Sequence, residues 1–477
     1  MSGRMSVPVS AARRWLDKGH VHSVHKNVHE NILNTAHRGC PPMPDRPNIL
    51  YLHSHDTGRY VQPYGHAVPT PSLQRLAEQG VLFRQCFCGG PTCSPSRAAL
   101  LTGQCAHSSG MIGLAHRGFR LKDYGQHIVH TLRTVGHEST LIGFQHVAPH
   151  DEVERIGYDH VIGCGVGRKA VVEAAQEFLR GPHERPFFAS VGFVETHRPY
   201  PEPGPDEDAR WCRPPVPLPD TPETRRDMAA FMAGARRLDT AMGSVLEALD
   251  ESGLAESTLV VCTTDHGIAF PAMKCNLTDH GIGVMLIMRG PGGFEGGCVS
   301  DALVSHVDLY PTLCELVGAE RPGWLQGRSL LPIVRGEAEE VNDAVFAEVT
   351  YHAAYQPMRC VRTKRWKYIL RYDERARPNL PNCDDSAGKS LWMEHGWADR
   401  PVAREELYDL VFDPNEACNC AGDPDCAEAL PAMRARLDRW MQETDDPILR
   451  GLPVPAPPGA RANDPDGLSP REEPRIV

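Results

Sequence analysis

The chain has 477 residues and an acidic balance, with 61 Asp and Glu residues against 50 Lys and Arg and a formal net charge of -11. That length suits two domains or one large domain with an appendage, and the charge argues against a nucleic-acid partner. No apolar run approaches membrane-spanning length, so we expect a soluble protein with no membrane association. The first residues lack the apolar segment of a signal peptide, which favours a cytoplasmic location and reduced thiols for most of the sixteen cysteines.

The N-terminal segment, residues 1–45, is polar and rich in histidine. We predict a loosely ordered or partner-contacting extension, with metal binding as the weaker hypothesis. A short apolar run over residues 48–52 then predicts a buried strand that leads into His55 and Asp56. Open α/β sheets place their functional groups at such strand ends. His53 lies on the same face of an extended chain as His55 and is a lesser candidate for a metal ligand.

The next stretch combines a cysteine and an arginine on one turn with an apolar, helix-prone run. Residues 91–103 read Pro-Thr-Cys-Ser-Pro-Ser-Arg-Ala-Ala-Leu-Leu-Thr-Gly, which places the pair at Cys93 and Arg97. Unpaired N–H groups and the helix dipole at a helix start favour an anion near Cys93. The planar fork of Arg97 suits a tetrahedral oxyanion. An isolated Cys-x-x-x-Arg pair would instead indicate a buried structural cysteine.

Two further predicted strands lead into histidines. Residues 140–143 precede His146, and residues 186–193 precede His197. An imidazole titrates near neutrality and therefore suits proton transfer. A purely structural role is the alternative for His197.

The strand with the strongest β-branched content, residues 257–262, leads into Asp265 and His266, and Lys274 follows shortly afterwards. The candidates thus stand at strand ends or at a helix start, far apart in the chain. Because their side chains can bind a metal ion or an oxyanion, their convergence predicts one site.

The string Cys-x-Pro-Ser-Arg-x-x-x-Leu-Thr-Gly that begins at Cys93 resembles the sulfatase signature at every characteristic position. This resemblance implies that a formylglycine-generating enzyme oxidises Cys93 to Cα-formylglycine, an aldehyde that hydrates to a geminal diol. One diol oxygen would attack sulfur, and the second would collapse the sulfated intermediate back to the aldehyde. That is covalent catalysis with a built-in release step, which an ordinary cysteine lacks.

The same resemblance implies a metal site and a set of catalytic residues. The implied metal ligands are His55, Asp56, the modified Cys93, Asp265 and His266. The implied catalytic groups are Cys93, Arg97 to hold the modified residue, Lys274 to bridge it to the sulfate, and His146 and His197 to contact the sulfate and protonate the leaving group.

Two positions depart from the family pattern. His55 stands where sulfatases usually have an Asp, and Phe144 stands where they commonly have a Lys that reaches the sulfate. One divalent cation is expected, and Ca²⁺, Mg²⁺, Mn²⁺ and Zn²⁺ all stay open. Two imidazole ligands shift the preference away from Ca²⁺ and towards Mn²⁺ or Zn²⁺.

The resemblance also implies an α/β fold of the alkaline-phosphatase-like type, with a large mixed sheet sandwiched by helices and a smaller C-terminal α+β domain. The predicted organisation is an N-terminal extension over residues 1–45, a catalytic domain over 46–342, the smaller domain over 343–446 and a proline-rich tail over 447–477. In the smaller domain, Glu348, His352 and Arg359 are predicted to face the pocket.

Several strings, among them Gly267-Ile-Ala-Phe-Pro271, are most similar to the heparan N-sulfatase (sulfamidase) group of the family. The implied substrate is a small sulfate ester or sulfamate, carried on a sugar. A phosphonate or phosphate monoester hydrolase of the same superfamily is the alternative, and a non-catalytic sugar-binding relative is a remoter one. The choice between O-sulfate and N-sulfate and the oligomeric state stay open.

Overall fold

The computed structural model describes residues 46–163, 165 and 167–477. The predicted N-terminal extension, residues 1–45, lies outside the described residues. The helices are α1 (Pro71–Gln79), α2 (Cys93–Thr102), α3 (Ala106–Ser109), α4 (Ile128–Thr134), α5 (Arg168–Arg180), α6 (Pro222–Glu251), α7 (Asp279–Ile282), α8 (Leu309–Val317), α9 (Leu331–Val334), α10 (Ala387–Glu394) and α11 (Ala429–Glu443). In the described part of the chain, none of them combines the length and apolarity that crossing a membrane requires.

The strands form a large sheet, a smaller sheet and a short two-stranded ribbon. They are β1 (Asn48–His53), β2 (Val81–Phe87), β3 (Glu138–Gly143), β4 (His160–Ile162), β5 (Phe187–Gly192), β6 (Thr258–Thr263), β7 (Gly283–Val284), β8 (Leu286–Arg289), β9 (Cys298–Ser305), β10 (Val345–Tyr351), β11 (Tyr355–Arg362), β12 (Trp366–Arg371), β13 (Glu405–Asp409), β14 (Arg461–Ala462) and β15 (Arg475–Ile476). The large sheet has the order β4-β3-β5-β1-β6-β8-β2-β7, with β9 paired to β2.

Four neighbouring strands of the large sheet end level with one another. β3, β5, β1 and β6 are parallel, and His53 pairs in register with both Gly192 and Thr263, while Gly143 also pairs with Gly192. The loops that follow these strands therefore leave the same edge of the sheet. This is the edge at which parallel sheets place their functional groups.

Helices cover both faces of the large sheet, as the alternation of side chains along β1 requires. Leu50 and Leu52 are buried on one face with side chains from α1, α5 and α6. Ile49 and Tyr51 are buried on the other face with side chains from α2, α4 and α8. A strand that is apolar on both faces belongs to the middle of such a three-layer arrangement.

The smaller sheet is antiparallel, with the order β10-β11-β12-β13, and α11 packs against β11 and β12. The proline-rich C-terminal segment returns to this sheet, because the hydroxyl of Tyr351 donates to the carbonyl oxygen of Val454 at 3.0 Å. Helix and antiparallel sheet together give the predicted α+β character. The domain boundaries at residues 342 and 446 stay predictions.

Candidate metal and active site

The ends of β1 and β6 and the start of α2 converge at the carboxyl edge of the large sheet. The five predicted metal ligands are all buried there, and one ligand atom from each lies within 4.8 Å of all the others: His55, Asp56, Cys93, Asp265 and His266. We call these residues the Cys93 cluster.

The turns after β1 and β6 each direct one carboxylate, Asp56 and Asp265, into the cluster. Asp56 has a positive φ of 57°, a left-handed conformation that Asp tolerates better than most residues. Its backbone N–H donates to Asp265 Oδ1 at 2.8 Å, and the backbone N–H of His266 donates to the same oxygen at 2.9 Å. One oxygen of Asp265 is thus used to hold the two loops together, while the other faces the cluster.

Several buried polar atoms of the cluster have no hydrogen-bond partner within the described residues. Both ring nitrogens of His55 and Oδ1 of Asp56 are in this state. His55 Nε2 lies 3.4 Å from Asp56 Oδ1 and 3.3 Å from Asp265 Oδ2. Leaving such groups buried and unpaired is costly, so their arrangement fits a bound cation.

His266 is oriented as a metal ligand. Its Nδ1 lies 3.0 Å from the carbonyl oxygen of Gly267, which can only accept, so Nδ1 carries the proton. The lone pair of Nε2 then points at Asp56 Oδ1, 3.3 Å away, and at Cys93 Sγ, 3.5 Å away. Two imidazoles, two carboxylates and the residue-93 side chain form a donor set suited to a divalent metal ion.

The protonation states agree with this assignment. Burial lowers the pKa of His55 well below its usual value, and the neighbouring His197 and Arg97 lower it further. Burial alone would raise the pKa of Asp265, but His266 and Arg97 hold it below its ordinary value. Neutral imidazole and ionised carboxylate are the forms that bind metals.

Cys93 is the first residue of α2, as predicted. Thr92 precedes it in an extended conformation, and the whole helix is buried. Burial raises the pKa of the Cys93 thiol well above its usual value. The unmodified residue is therefore a buried, protonated thiol within the cluster.

Arg97 lies one turn further along α2 and connects the two loops. Its Nη2 donates to the carbonyl oxygen of Ser54 at 2.8 Å and to Asp265 Oδ2 at 3.0 Å. Its Nη1 is 2.7 Å from His53 Nδ1, and the other ring nitrogen of His53 is 3.2 Å from Ser190 Oγ. The prediction of His53 as a lesser metal candidate is wrong, because both of its nitrogens are occupied by these contacts.

Lys274 lies on the opposite side of Asp56. Its Nζ donates to Asp56 Oδ2 at 2.9 Å and lies 3.0 Å from Asp384 Oδ2 and 3.5 Å from His197 Nε2. Burial would lower the pKa of Lys274, but Asp384 and Asp56 raise it well above its usual value. Asp384 is a residue that the sequence did not indicate.

The two predicted sulfate-contacting histidines lie beside His55. The ring centroid of His197 is 4.5 Å from that of His55, and the ring of His146 is 6.2 Å away. His146 Nε2 is 2.8 Å from Nδ1 of His116, a second residue missing from the predicted site. Phe144 stacks on His55 with ring centroids 5.0 Å apart. At the position where sulfatases commonly have a lysine, this chain therefore has an aromatic ring packed against His55.

The three residues of the smaller domain that are predicted to face the pocket have different surroundings. His352 is buried, and burial together with the charge of Lys274 lowers its pKa well below the usual value. Glu348 and Arg359 instead form a buried ion-pair network, with Arg359 Nη2 3.2 Å from Glu348 and its Nε 2.6 Å from Asp446. The prediction that these two residues face the pocket is wrong, because their charges are used to pair with each other and with Asp446.

Comparison with known proteins adds a family assignment to this geometry. The family model described as Sulfatase matches residues 47–319, and the model described as N-sulphoglucosamine sulphohydrolase, C-terminal, matches residues 273–384. The human N-sulphoglucosamine sulphohydrolase is 31% identical over 459 residues, which cover 84% of this chain and 91% of that protein. A Delta 4,5-hexuronate-2-O-sulfatase of Bacteroides thetaiotaomicron is 26% identical and covers 88% of this chain and 94% of its own length.

Solved structures share the fold. A protein in complex with its substrate D-glucosamine-2-N,6-O-disulfate superposes with a TM-score of 0.69 at 18% identity, over 90% of this chain and 100% of that chain. A 2-O GAG sulfatase superposes with a TM-score of 0.67 at 23% identity, over 90% of this chain and 99% of that chain. The predicted alkaline-phosphatase-like fold is confirmed.

Proposed function

This chain belongs to the sulfatase family, and we propose that it hydrolyses a sulfate ester or sulfamate on a sugar through a formylglycine nucleophile derived from Cys93. The observation that carries the proposal is the place of Cys93. Its Sγ lies within 4.8 Å of a ligand atom from each of four other residues, at the helix start where the family signature puts the modified residue. Two of those residues, His55 and Asp56, have buried atoms without hydrogen-bond partners.

In this proposal, the residues that would hold a divalent metal ion are His55, Asp56, Asp265, His266 and residue 93. When bound, it supplies positive charge that offsets the sulfate and lowers the pKa of the attacking oxygen. The imidazoles of His55 and His266 favour Mn²⁺ or Zn²⁺ over Ca²⁺, which prefers a shell of oxygen ligands.

The cations around the cluster position the sulfate and the nucleophile. Arg97 is fixed by Ser54, Asp265 and its contact with His53, so it holds the residue-93 side chain with little loss of side-chain entropy. Lys274 stands between Asp56 and Asp384 and bridges the nucleophile to a sulfate oxygen.

Proton transfer to the leaving group is assigned to the histidines. His197 Nδ1 is 2.5 Å from the carbonyl oxygen of Arg198 and therefore carries a proton, while Nε2 faces the cluster beside Lys274. A proton delivered at Nε2 would pass to the departing sugar oxygen or amine. His146, supported by His116, contacts the sulfate from the other side of His55.

A sugar substrate is supported by the relatives, which include a sulphohydrolase of N-sulphoglucosamine and a hexuronate sulfatase. The test compares initial rates on N-sulfoglucosamine, glucosamine 6-sulfate, an aryl sulfate and the matching aryl phosphate, with protein matured by a formylglycine-generating enzyme. We expect kcat/KM to be highest for one of the two sulfated sugars. A much higher kcat/KM for the phosphate would favour a phosphohydrolase, and no turnover of any substrate would favour a sugar-binding relative.

A further inference from the structure

A small cavity lies between α2, the start of α4 and the segment that follows β3. Its volume is about 10 Å³, which suits a single water molecule. Arg97, His127 and His146 contribute polar groups to its wall, and Tyr51 and Leu101 also line it. We call this space the Arg97 cavity. The mechanism proposed above makes no use of it.

Three nitrogen atoms of the cavity wall are buried and have no hydrogen-bond partner within the described residues. They are Arg97 Nε, His127 Nε2 and His146 Nδ1. Arg97 is only 3% exposed and His127 is 0% exposed, so bulk solvent does not satisfy them. Leaving such atoms unpaired is costly, and a polar cavity that brings two to four of them together is the kind of place where proteins hold a buried water.

Arg97 presents a hydrogen-bond donor to this cavity. Its two terminal nitrogens are engaged elsewhere, Nη1 with His53 Nδ1 and Nη2 with the carbonyl oxygen of Ser54 and with Asp265 Oδ2. The Nε–H is the part of the guanidinium that these contacts leave over. A guanidinium has donors and no acceptor, so Arg97 needs an acceptor in the cavity.

His127 presents a second donor. Its Nδ1 accepts from the backbone N–H of Val129 at 3.4 Å, a contact that caps the start of α4. Burial lowers the pKa of His127 to about 3, so the ring is neutral and carries a single proton. Because Nδ1 is the acceptor, that proton is on Nε2, the nitrogen without a partner.

The third nitrogen must then be an acceptor. A water oxygen has two lone pairs, and the N–H groups of Arg97 and His127 fill both of them, so the water donates to Nδ1 of His146. Burial, and then the neighbouring His116 and Arg97, lower the pKa of His146 well below its usual value, so this ring is neutral as well. Its one proton is therefore on Nε2, which lies 2.8 Å from His116 Nδ1.

We propose that the Arg97 cavity holds one water molecule, and that His127 acts through this water as a positioning residue that keeps the proton of His146 on Nε2. The positioning role rests on the proposed sulfatase function, in which His146 contacts the sulfate. A proton on Nε2 gives the sulfate oxygen a hydrogen-bond donor, whereas the other tautomer would direct a lone pair at an anion. His116 accepts this hydrogen bond in the free enzyme.

The first test uses the full-length wild-type protein. A high-resolution crystal structure should show one water within about 2.7–3.2 Å of the three nitrogens. In protein labelled with ¹⁵N-histidine, two-bond ¹⁵N–¹H NMR correlations, assigned with His146→Gln, should place the proton of His146 on Nε2. A cavity without water, or a proton on Nδ1, would overturn the proposal. Neither readout requires turnover, so a protein with this water and this tautomer but no sulfatase activity would contradict the proposed function and support the water site.

The second test uses His127→Asn, which separates the positioning role from the helix cap. The Asn oxygen still accepts from the Val129 N–H, but the shorter side chain ends before the position of Nε2. We expect kcat/KM to fall about tenfold and a population of His146 with its proton on Nδ1 to appear. His137→Asn, at a buried histidine bonded to the Pro47 carbonyl, is the matched control and should change neither quantity. A folded His127→Asn variant with the wild-type tautomer or the wild-type kcat/KM would overturn the positioning role.

Discussion

The Cys93 cluster and a second buried group, formed by Cys105, His107 and Glu348, contain the same kinds of side chain but differ in how their polar atoms are paired. In the first, both nitrogens of His55 and one oxygen of Asp56 are buried without hydrogen-bond partners. In the second, both nitrogens of His107 and Oε1 of Glu348 have hydrogen-bond partners, and Oε2 of Glu348, which has none, lies 3.2 Å from the guanidinium of Arg359. A buried polar atom without a partner is costly, so the first arrangement fits a bound cation, whereas in the second the cation beside the unpaired oxygen is the side chain of Arg359.

The difference shows that residue types alone do not identify a metal site. Both groups bring a cysteine, a histidine and a carboxylate within 4.8 Å of one another. The direction of the imidazole separates them: His266 donates from Nδ1 to a backbone carbonyl and directs Nε2 at Asp56 and Cys93 of the cluster, while His107 uses its two nitrogens for Glu348 and Thr444.

The largest expected effect comes from removing each sulfur in turn. Cys93→Ala deletes the proposed nucleophile, and we expect kcat/KM to fall by about 10⁴-fold or more. Cys105→Ser should leave the kcat/KM of the folded enzyme within about twofold, because Cys105 is not part of the Cys93 cluster. Steady-state kinetics on the best sulfated substrate measure both. Equal losses in the two variants would contradict the division of roles.

The second prediction concerns the stability of the Glu348 network. Arg359→Met leaves Glu348 and Asp446 buried beside each other without their guanidinium, and breaking a buried pair costs about 3–5 kcal/mol. Denaturant unfolding measures this loss. Arg436→Met is the matched control, because Arg436 pairs with Asp343 at the surface and such pairs contribute about 0–1 kcal/mol. A loss of less than 1 kcal/mol for Arg359→Met would contradict the network's structural role.

The third prediction concerns the cation between Asp56 and Asp384. Lys274→Met removes the charge proposed to bridge nucleophile and sulfate, and we expect kcat to fall by about 10²–10³-fold. Lys367→Met removes another buried lysine, paired with Asp279 and Glu416. That control should lower the free energy of unfolding while the kcat of the folded enzyme is retained. A kcat for Lys274→Met within about threefold of wild type would rule out the bridging role.

The smallest expected change in kcat/KM comes from His55→Asp. The same variant is the most direct test of which metal ion the site binds. This change restores the oxygen ligand that the family usually has, so the metal bound by purified protein should shift from Mn²⁺ or Zn²⁺ to Ca²⁺ or Mg²⁺. Elemental analysis reads the shift directly, and kcat/KM should change by about tenfold or less. His137→Gln, at a buried histidine bonded to the Pro47 carbonyl, should leave the metal content unchanged. Ca²⁺ at full occupancy in the wild type would contradict the role given to His55.

Much of this site could be predicted because it lies at the ends of strands that are apolar on both faces. β1, β5 and β6 are short, buried runs, and each is followed within a few residues by a polar candidate. Once such strands are parallel neighbours, their ends must meet at one edge. The signature at Cys93 then adds a helix start beside them.

The residues that escaped prediction have no local signal of this kind. Asp384 contacts Lys274 across 110 positions of the chain from an irregular segment, and neither periodicity nor a motif marks it. His116 lies in a run with several glycines that predicts a loop able to frame a pocket, but no signal in that run predicts its contact with His146, which depends on how two loops pack. Glu348 and Arg359 are predicted to face the pocket, yet they form an ion pair with each other in the interior.

The central claim is that residue 93 works as formylglycine. The most direct test is mass spectrometry of the peptide that contains Cys93, from protein produced with a formylglycine-generating enzyme, with the peptide containing Cys105 as the reference. The account predicts an aldehyde in place of the thiol at residue 93 and an unaltered thiol at residue 105. A fully active enzyme whose residue 93 is an unmodified cysteine would contradict it.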